Sequence, residues 1–232
     1  MYPNFMQDLF VLELANNHWG NLSRGIKIIE EFSKIVRFNN VRAAIKLQFR
    51  DTDNFIHHDF QNNESVRYIK KTRLTKLQSD DYAILVKAII ENGCIPMATP
   101  FDETSVDLCV KLNLPIIKIA SSDINDWPLI EKIASTKLPV IVSTGGSSLK
   151  DIDDVVTYFY NRKIPLAAGS GLGFDYSARR GLERSWGRAG MAVARLFHNL
   201  CQTKTSVTES YAASSRQSIE DPIRAVIRPK TS

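Results

Sequence analysis

The chain has 232 residues, 44% of them hydrophobic, and this size suits one large α/β domain better than two small ones. No stretch approaches the roughly 18 consecutive apolar residues of a membrane-spanning helix, and the first residues lack the charged and then apolar order of a secretory signal, so we expect a cytoplasmic protein without a membrane partner. The net charge of +5 does not predict a nucleic-acid partner, because residues 1–166 hold 20 basic and 20 acidic residues, whereas residues 167–232 hold 10 and 5.

Hydrophobic periodicity predicts strands that alternate with helices up to residue 167. The predicted strands span residues 10–14, 43–49, 94–98, 115–120, 138–143 and 164–167. The predicted helices span residues 22–38, 104–112, 127–135 and 149–162, with one more that starts at Ser79 as its N-cap and stops at Gly93. The polar residues before Ser79 are predicted to form a loop. Six strands alternating with five helices predict a parallel sheet.

Such an alternation fits either a doubly wound open sheet or a TIM (β/α)8-type barrel, and the strand faces favour the barrel. Polar side chains recur on one face, at the carboxyl ends of the predicted strands: Glu13, Lys46, Gln48 and Lys118. In the second strand, Ile45, Leu47 and Phe49 form the opposite, apolar face. A barrel gathers inward polar groups at the carboxyl ends of its strands. We therefore predict an incomplete barrel, in which about six βα units are recognisable.

Lys46 and Lys118 stand out because each lies inside an apolar strand. An unpaired ammonium in a dry core is costly, so a strand that carries one usually directs it at an anion or a carboxylate. Binding of an anionic substrate is one interpretation. A buried structural ion pair between Lys46 and Glu13 is the other, and the sequence leaves both open.

Five short motifs occur in the order and approximate spacing of one enzyme family: ELANNHWG (13–20), KLQF (46–49), TPFD (99–102), KIAS (118–121) and STGG (143–146). Over residues 8–167 the chain resembles the sialic acid (N-acetylneuraminate) synthases, which include the legionaminic and pseudaminic acid synthases. The resemblance implies a TIM barrel that condenses phosphoenolpyruvate with an N-acylmannosamine-type sugar. The products would be phosphate and a nine-carbon 2-keto sugar acid.

The resemblance also implies roles for the motif residues. It makes Glu13, Lys46 and Lys118 the candidate catalytic residues, with the two lysines holding the charges of phosphoenolpyruvate. The implied substrate-binding residues are Gln48, Thr99, Ser121, Asp123, Ser143, Thr144 and Gly145. Gly145 would let backbone amides approach an oxyanion closely. Ser143 and Thr144 would equally well cap the turn that follows them, and this alternative stays open.

Members of the family use a divalent metal, manganese or magnesium, held by two histidines in His-Cys and Ser-Asp-His contexts. Neither context occurs in this chain, so no metal ligand is assigned, and the resemblance leaves open a truncated, catalytically inactive barrel fragment that at most binds phosphoenolpyruvate or a similar anion. A phosphate-sugar aldolase that forms a Schiff base at Lys118 is a third and more distant alternative.

Residues 168–232 depart from the family pattern and from the composition of the rest of the chain. Eight of the ten basic residues after position 166 are arginines, and six of the eleven glycines also fall there. We expect a partly disordered basic tail with a helix near 187–200, and we interpret it as foreign to the fold, as a frameshift or a fused reading frame would make it. The alternative, a diverged region that completes the barrel differently, stays open. Relatives often pair through a C-terminal domain without counterpart in this sequence, so a homodimer is expected only by analogy.

Overall fold

The computed structural model describes residues 8–60 and 65–169, in which six strands form one parallel sheet. The strands are β1 (Leu9–Ala15), β2 (Arg42–Phe49), β3 (Ile95–Pro100), β4 (Ile117–Ile119), β5 (Val140–Ser143) and β6 (Leu166–Gly169). The helices are α1 (Leu22–Phe38), α2 (Thr52–Phe55), α3 (Arg67–Leu74), α4 (Ser79–Glu91), α5 (Glu103–Lys111), α6 (Trp127–Ser135) and α7 (Leu149–Asn161). Single turns of 3-10 helix lie at His58–Phe60 and Ser121–Asp123.

The order of the strands in the sheet is their order in the chain, β1 to β6, and every neighbouring pair is parallel. A doubly wound sheet reverses its strand order at a switch point, whereas a barrel adds each new strand on the same side of the last one. The six strands curl into a half-barrel with helices, so the prediction of an incomplete TIM-type barrel is confirmed.

The two faces of β2 separate as the alternation predicts. Ile45, Leu47 and Phe49 are fully buried in the main hydrophobic core. On the other face, Ala44 belongs to a small separate apolar cluster with Met97 and Ile116. This cluster closes the inner face near the amino ends of the strands, so the polar residues of that face come together nearer the carboxyl ends.

The region between β2 and α4 differs from the predicted loop. It contains α2 and α3, and α3 escaped prediction because its sequence, RYIKKTRL, has four basic residues and buries only Ile69 and Thr72. A helix with so few apolar residues was hidden in a segment that is polar as a whole. The prediction that Ser79 is the N-cap of α4 is wrong by one residue: Gln78 caps the helix, and its backbone N–H donates to the Asp81 carboxylate at 3.0 Å.

The loop after β1 is fixed by a buried histidine and a glycine. The Nδ1 atom of His18, a fully buried residue, accepts a hydrogen bond of 3.1 Å from the backbone N–H of Gly20. Gly20 has a φ of +70°, and a Cβ there would lie 2.6 Å from the carbonyl oxygen of Leu74. Only glycine fits this approach. The β1–α1 loop is thereby seated against the end of α3.

No helix within residues 8–60 and 65–169 combines the length and the apolar character that a membrane span requires. The last strand, predicted over residues 164–167, lies two residues further along the chain, at Leu166–Gly169. The remainder of the predicted tail domain, including the expected helix near 187–200, lies outside the described residues.

Candidate active site

Lys46 lies at the centre of the polar inner face. Its side chain is 7% exposed, and its ammonium is 2.9 Å from the carboxylate of Glu13, which is half exposed. The same ammonium donates a hydrogen bond of 3.1 Å to the hydroxyl of Thr99, a buried residue of β3. The register explains the contacts. Glu13 faces Lys46 across the β1–β2 ladder, and Thr99 lies two residues beyond Met97, the β3 partner of Lys46, and therefore on the same face.

Lys118 supplies the second amine, from β4. Its Nζ donates to the backbone carbonyl of Ile119 at 3.0 Å and to the hydroxyl of Ser143 in the neighbouring β5. Burial, and then the nearby positive charge of Lys46, lower the pKa of Lys118 to about 8. Glu13 and Asp123 act in the opposite direction, which places both carboxylates within electrostatic reach of this amine.

The two amines belong to strands on either side of β3, which contributes Thr99 between them. Lys46, Thr99 and Ser143 lie in the carboxyl-terminal halves of their strands, and Lys118 is the central residue of the three-residue β4. Two cationic groups with hydroxyls beside them form a site that can bind a small doubly charged acid by charge-assisted hydrogen bonds. The structure therefore brings together Glu13, Lys46, Thr99, Lys118 and Ser143 of the predicted site.

Four further predicted residues lie in the loops that follow β4 and β5. Ser121 is exposed, and a Cβ added at Gly145 would lie 3.8 Å from its side chain, so these two residues are neighbours. Asp123 is half-buried in the turn after β4. Thr144 donates its backbone N–H to the Gly169 carbonyl at 3.0 Å, which ties the ends of β5 and β6 together.

Gln48 lies on the same face of β2 as Lys46, two residues nearer the carboxyl end, and it pairs with Thr99 in the ladder. It lines a small recess, partly open to solvent, which we call the threonine pocket. Its described lining includes Asn16, Gln48, Arg50, Thr52, Thr72 and Thr75. Lys76 and the buried Tyr82 complete the lining. The Tyr82 hydroxyl donates a hydrogen bond of 3.1 Å to the backbone carbonyl of Gln48.

Asp102 is the motif residue whose part in the site sequence reasoning missed. Its buried carboxylate accepts hydrogen bonds from the backbone N–H groups of Ser105, at 2.7 Å, and of Asp51, at 2.8 Å. The first contact caps α5 and the second holds the chain just after β2. Its position, just before a predicted helix, was the available signal, because aspartate is a preferred N-cap.

Sequence reasoning also missed Thr52, Thr72 and Thr75, because no sequence signal distinguishes them from ordinary surface threonines.

A metal centre would need several ligands close together. No three His, Cys, Asp or Glu residues come together as a ligand set anywhere in the part of the chain that the structure describes. The described residues thus do not fit the divalent metal that the resemblance implies.

Comparisons with known proteins agree with this geometry. A family model described as the NeuB family matches residues 38–169, which is more than half of the chain. The chain is 27% identical over 168 residues to the N,N'-diacetyllegionaminic acid synthase of Legionella pneumophila, a match that covers 67% of this chain and 46% of the relative.

Solved structures show the same fold. A protein of Chromobacterium violaceum titled as spore coat polysaccharide biosynthesis protein E is 40% identical, with a TM-score of 0.68 over 70% of this chain and 48% of that one. The N-acetylneuraminic acid synthetase of Leptospira borgpetersenii, solved in complex with citrate, is 26% identical, with a TM-score of 0.58 over 69% and 52%. The chain spans less than half the length of the curated relatives it matches. The family match and the shared fold establish that this chain belongs to the NeuB family.

Proposed function

We propose that the chain carries the phosphoenolpyruvate-binding half of a sugar-acid synthase. The reaction condenses phosphoenolpyruvate with an N-acylmannosamine-type sugar to give a nine-carbon 2-keto sugar acid and phosphate. The observation that carries the proposal is the pair of amines, Lys46 and Lys118, on either side of the Thr99 hydroxyl in a member of this family. The citrate complex of the Leptospira relative supports a site suited to carboxylates.

Phosphoenolpyruvate has a carboxylate at one end and a phosphate at the other, so it can bridge two cations. Lys46 and Lys118 hold these two groups, and the hydroxyls of Thr99 and Ser143, which already contact the ammonium groups, complete the cradle. Ser121, Thr144 and Gly145 lie at the rim, in the loops after β4 and β5, where they reach the oxygens of the phosphate.

The chemistry then requires the sugar aldehyde to approach the methylene carbon of the bound phosphoenolpyruvate. A bond forms between that carbon and the aldehyde carbon, water supplies the oxygen of the new ketone, and phosphate leaves. Glu13 is half exposed beside Lys46 and orients the acceptor hydroxyl groups, with Gln48 and Asp123 contacting the rest of the sugar. Fixing both reactants in this geometry supplies most of what the described residues contribute to the rate.

A divalent metal, manganese or magnesium, would polarise the aldehyde if it were bound. Since residues 8–60 and 65–169 offer no cluster of three ligands, we assign no step of the mechanism to residues that would hold it.

Incubation of the purified chain with phosphoenolpyruvate, N-acetylmannosamine and manganese tests the proposal. Release of phosphate that requires both the sugar and the metal supports it, and a Lys46→Met variant should abolish the signal. Lys111→Met, an exposed lysine of α5, is the matched control and should leave phosphate release unchanged.

The second candidate is a catalytically inactive barrel fragment that binds phosphoenolpyruvate without turnover. The described residues offer no cluster of three metal ligands, and this favours the second candidate. Calorimetric titration separates the two: binding of phosphoenolpyruvate that depends on Lys46 and Lys118, without phosphate release at any metal concentration, identifies the fragment. Absence of both binding and release rules out both candidates.

A further inference from the structure

The two amines of the candidate site have different kinds of partner. We call these amines and the hydroxyls beside them the lysine site: Lys46, Thr99, Lys118 and Ser143. The Lys46 ammonium forms an ion pair of 2.9 Å with the Glu13 carboxylate. Lys118 instead donates to two neutral oxygens, the backbone carbonyl of Ile119 at 3.0 Å and the hydroxyl of Ser143. A neutral amine still has two N–H donors, so Lys118 keeps both contacts when it loses its proton, whereas Lys46 would lose an ion pair.

The surroundings of Lys118 also favour the neutral amine. Burial, and then the positive charge of Lys46, lower its pKa to about 8, against the opposing effect of the Glu13 and Asp123 carboxylates. At pH 7.5 a lysine with this pKa is about one-quarter neutral, compared with about one part in a thousand for a lysine of ordinary pKa. Desolvation beside a second cation is one of the ways in which proteins make a lysine nucleophilic. The residue is only partly buried, so a small solute reaches it.

The strand register places an anion-binding group beside this amine. Ala98 pairs with Ile117 across the β3–β4 ladder, so Thr99 and Lys118 are the next residues on neighbouring strands. The Thr99 hydroxyl accepts a hydrogen bond from the Lys46 ammonium and keeps its own O–H as a donor. Neighbouring strands lie about 4.8 Å apart, so the two lysines reach towards each other across about 10 Å. A carboxylate bound by Lys46 and Thr99 therefore has its adjacent carbon beside the Lys118 nitrogen.

We propose that the Lys118 amine forms an imine with small 2-keto acids such as pyruvate, whose carboxylate binds the Lys46 ammonium and the Thr99 hydroxyl. In a 2-keto acid the carbon next to the carboxylate is the ketone carbon, which is the atom that an amine attacks. This activity goes beyond the proposed function, in which Lys118 only holds an anion, and it requires neither a sugar nor a metal. It is also narrower than an aldolase reaction, because no carbon–carbon bond forms or breaks.

The step balances without a further reagent. The nitrogen lone pair of Lys118 forms a bond to the ketone carbon, and the π electrons of the C=O bond move to the oxygen. One proton passes from the nitrogen to this oxygen, with the Ser143 hydroxyl, already in contact with the amine, as the relay. The C–O bond then breaks, the oxygen leaves as water with the second amine proton, and a C=N bond remains. Water reverses the step, so the adduct is reversible and nothing is oxidised or reduced.

Reductive trapping tests the proposal. The full chain is incubated at pH 7.5 with pyruvate and cyanoborohydride, which reduces an imine to a stable N-(1-carboxyethyl)lysine, and peptide mass spectrometry locates the label. Because of its larger neutral fraction, Lys118 should be labelled at least about tenfold more than Lys111, an exposed lysine of α5. Pyruvamide, which has the same ketone and no carboxylate, should label Lys118 about tenfold less than pyruvate does.

Three variants separate the amine from its charge. Lys46→Met removes the ammonium that binds the carboxylate and that lowers the pKa of Lys118, so labelling at Lys118 should fall about tenfold. Lys118→Arg keeps the positive charge but has no amine, and labelling of the whole chain should fall to that of its exposed lysines. Lys111→Met is the matched control and should leave labelling at Lys118 unchanged. The position of the label in the unmodified chain decides the proposal even where a variant fails to fold.

The outcomes distinguish this proposal from the proposed function. A label spread evenly over exposed lysines, or equal labelling by pyruvamide and pyruvate, overturns the imine proposal. Phosphoenolpyruvate in excess should protect Lys118, since both acids occupy the lysine site. If Lys118 is labelled and phosphoenolpyruvate neither binds nor protects, the proposed function fails and the imine proposal stands. If phosphoenolpyruvate binds and Lys118 stays unlabelled by pyruvate, the imine proposal fails and the proposed function stands.

Discussion

Glu13 and Lys46 face each other across the first two strands and form an ion pair of 2.9 Å, although the two side chains have very different exposure, 50% and 7%. The buried partner is the cation, which also donates to Thr99. Glu13 therefore compensates a buried charge in the folded protein, and its own half-exposed carboxylate connects that charge to solvent.

Replacement of Glu13 by Gln keeps the size of the side chain and removes its negative charge. We expect the free energy of unfolding to fall by about 1–2 kcal/mol, less than the ~3–5 kcal/mol of a fully buried pair, because Glu13 is half exposed. Urea denaturation measures it. Glu31→Gln, which breaks the exposed pair with Lys34, is the control and should cost under about 0.5 kcal/mol. Equal losses in the two variants would show that Lys46 does not depend on Glu13.

The affinity for phosphoenolpyruvate should fall as the pH rises through about 8. Burial lowers the pKa of Lys118 to about 8, so the residue is an ammonium below that pH and a neutral amine above it. Since the anion favours the ammonium, binding above pH 8 should take up a proton. Titration calorimetry at pH 9 in two buffers of different ionisation enthalpy measures that uptake.

Lys118→Met should bind phosphoenolpyruvate weakly and show no dependence on pH between 7 and 9.5. Lys111→Met, an exposed lysine outside the site, should keep the full dependence of the unmodified chain. An affinity that is the same at pH 7 and pH 9 in the unmodified chain would mean that Lys118 does not contact the bound anion.

The inner and outer faces of β2 could be predicted because side chains alternate strictly between the two faces of a strand, and in β2 one face is apolar while the other carries polar residues. Three fully buried apolar residues alternate with Lys46 and Gln48, and no other register puts the core on one side. The lysine site followed from the same alternation in β4. Its contacts with Thr99 and Ser143 follow from the parallel register, which aligns the carboxyl ends of successive strands.

The threonine pocket could not be predicted, because it depends on contacts between distant segments of ordinary composition. Thr52 and Thr72 reach it from α2 and α3, of which α2 has only four residues and α3 is a short, mostly polar helix. The close approach of Gly20 to Leu74 that seats this region involves a backbone carbonyl, which leaves no signature in the sequence. Tertiary contacts of this kind become visible only in the folded chain.

His18 should make the protein less stable in mild acid. Burial lowers its pKa from 6.5 to about 4, so the unfolded chain takes up a proton below pH 6.5 while the folded chain does not until about pH 4. The free energy of unfolding should therefore decrease by about 3 kcal/mol as the pH falls from 6.5 to 4, and the loss should be complete below that.

His18→Asn offers an amide oxygen in place of Nδ1 to the Gly20 N–H and removes the titrating group. The difference in unfolding free energy between the unmodified chain and this variant should shrink steadily over the same pH range. A pH-independent difference for His18→Asn would show that the imidazole is already protonated or solvated in the folded state.

Asp102→Asn should destabilise the protein although the two side chains have nearly the same shape. The carboxylate accepts one N–H from Ser105 and another from Asp51, each on a different oxygen. Asparagine has a single acceptor oxygen, and its amide N–H₂ would face the second backbone N–H, so one buried donor loses its partner. The expected loss is about 1–3 kcal/mol of unfolding free energy, measured by denaturant titration.

Asp126→Asn separates this effect from helix capping. Asp126 is the N-cap of α6 and accepts from the Leu129 N–H at 3.4 Å, and asparagine is as good an N-cap as aspartate, so the cost should be under about 0.5 kcal/mol. If Asp102→Asn costs no more than Asp126→Asn, its bond to Asp51 contributes nothing. If Asp102→Asn costs more, a comparison of two variants at Asp51 isolates its N–H group. Asp51→Ala keeps this donor and Asp51→Pro removes it, so the free energy of unfolding of Asp51→Pro should be lower than that of Asp51→Ala by a similar amount. The φ of −77° at this residue already suits proline.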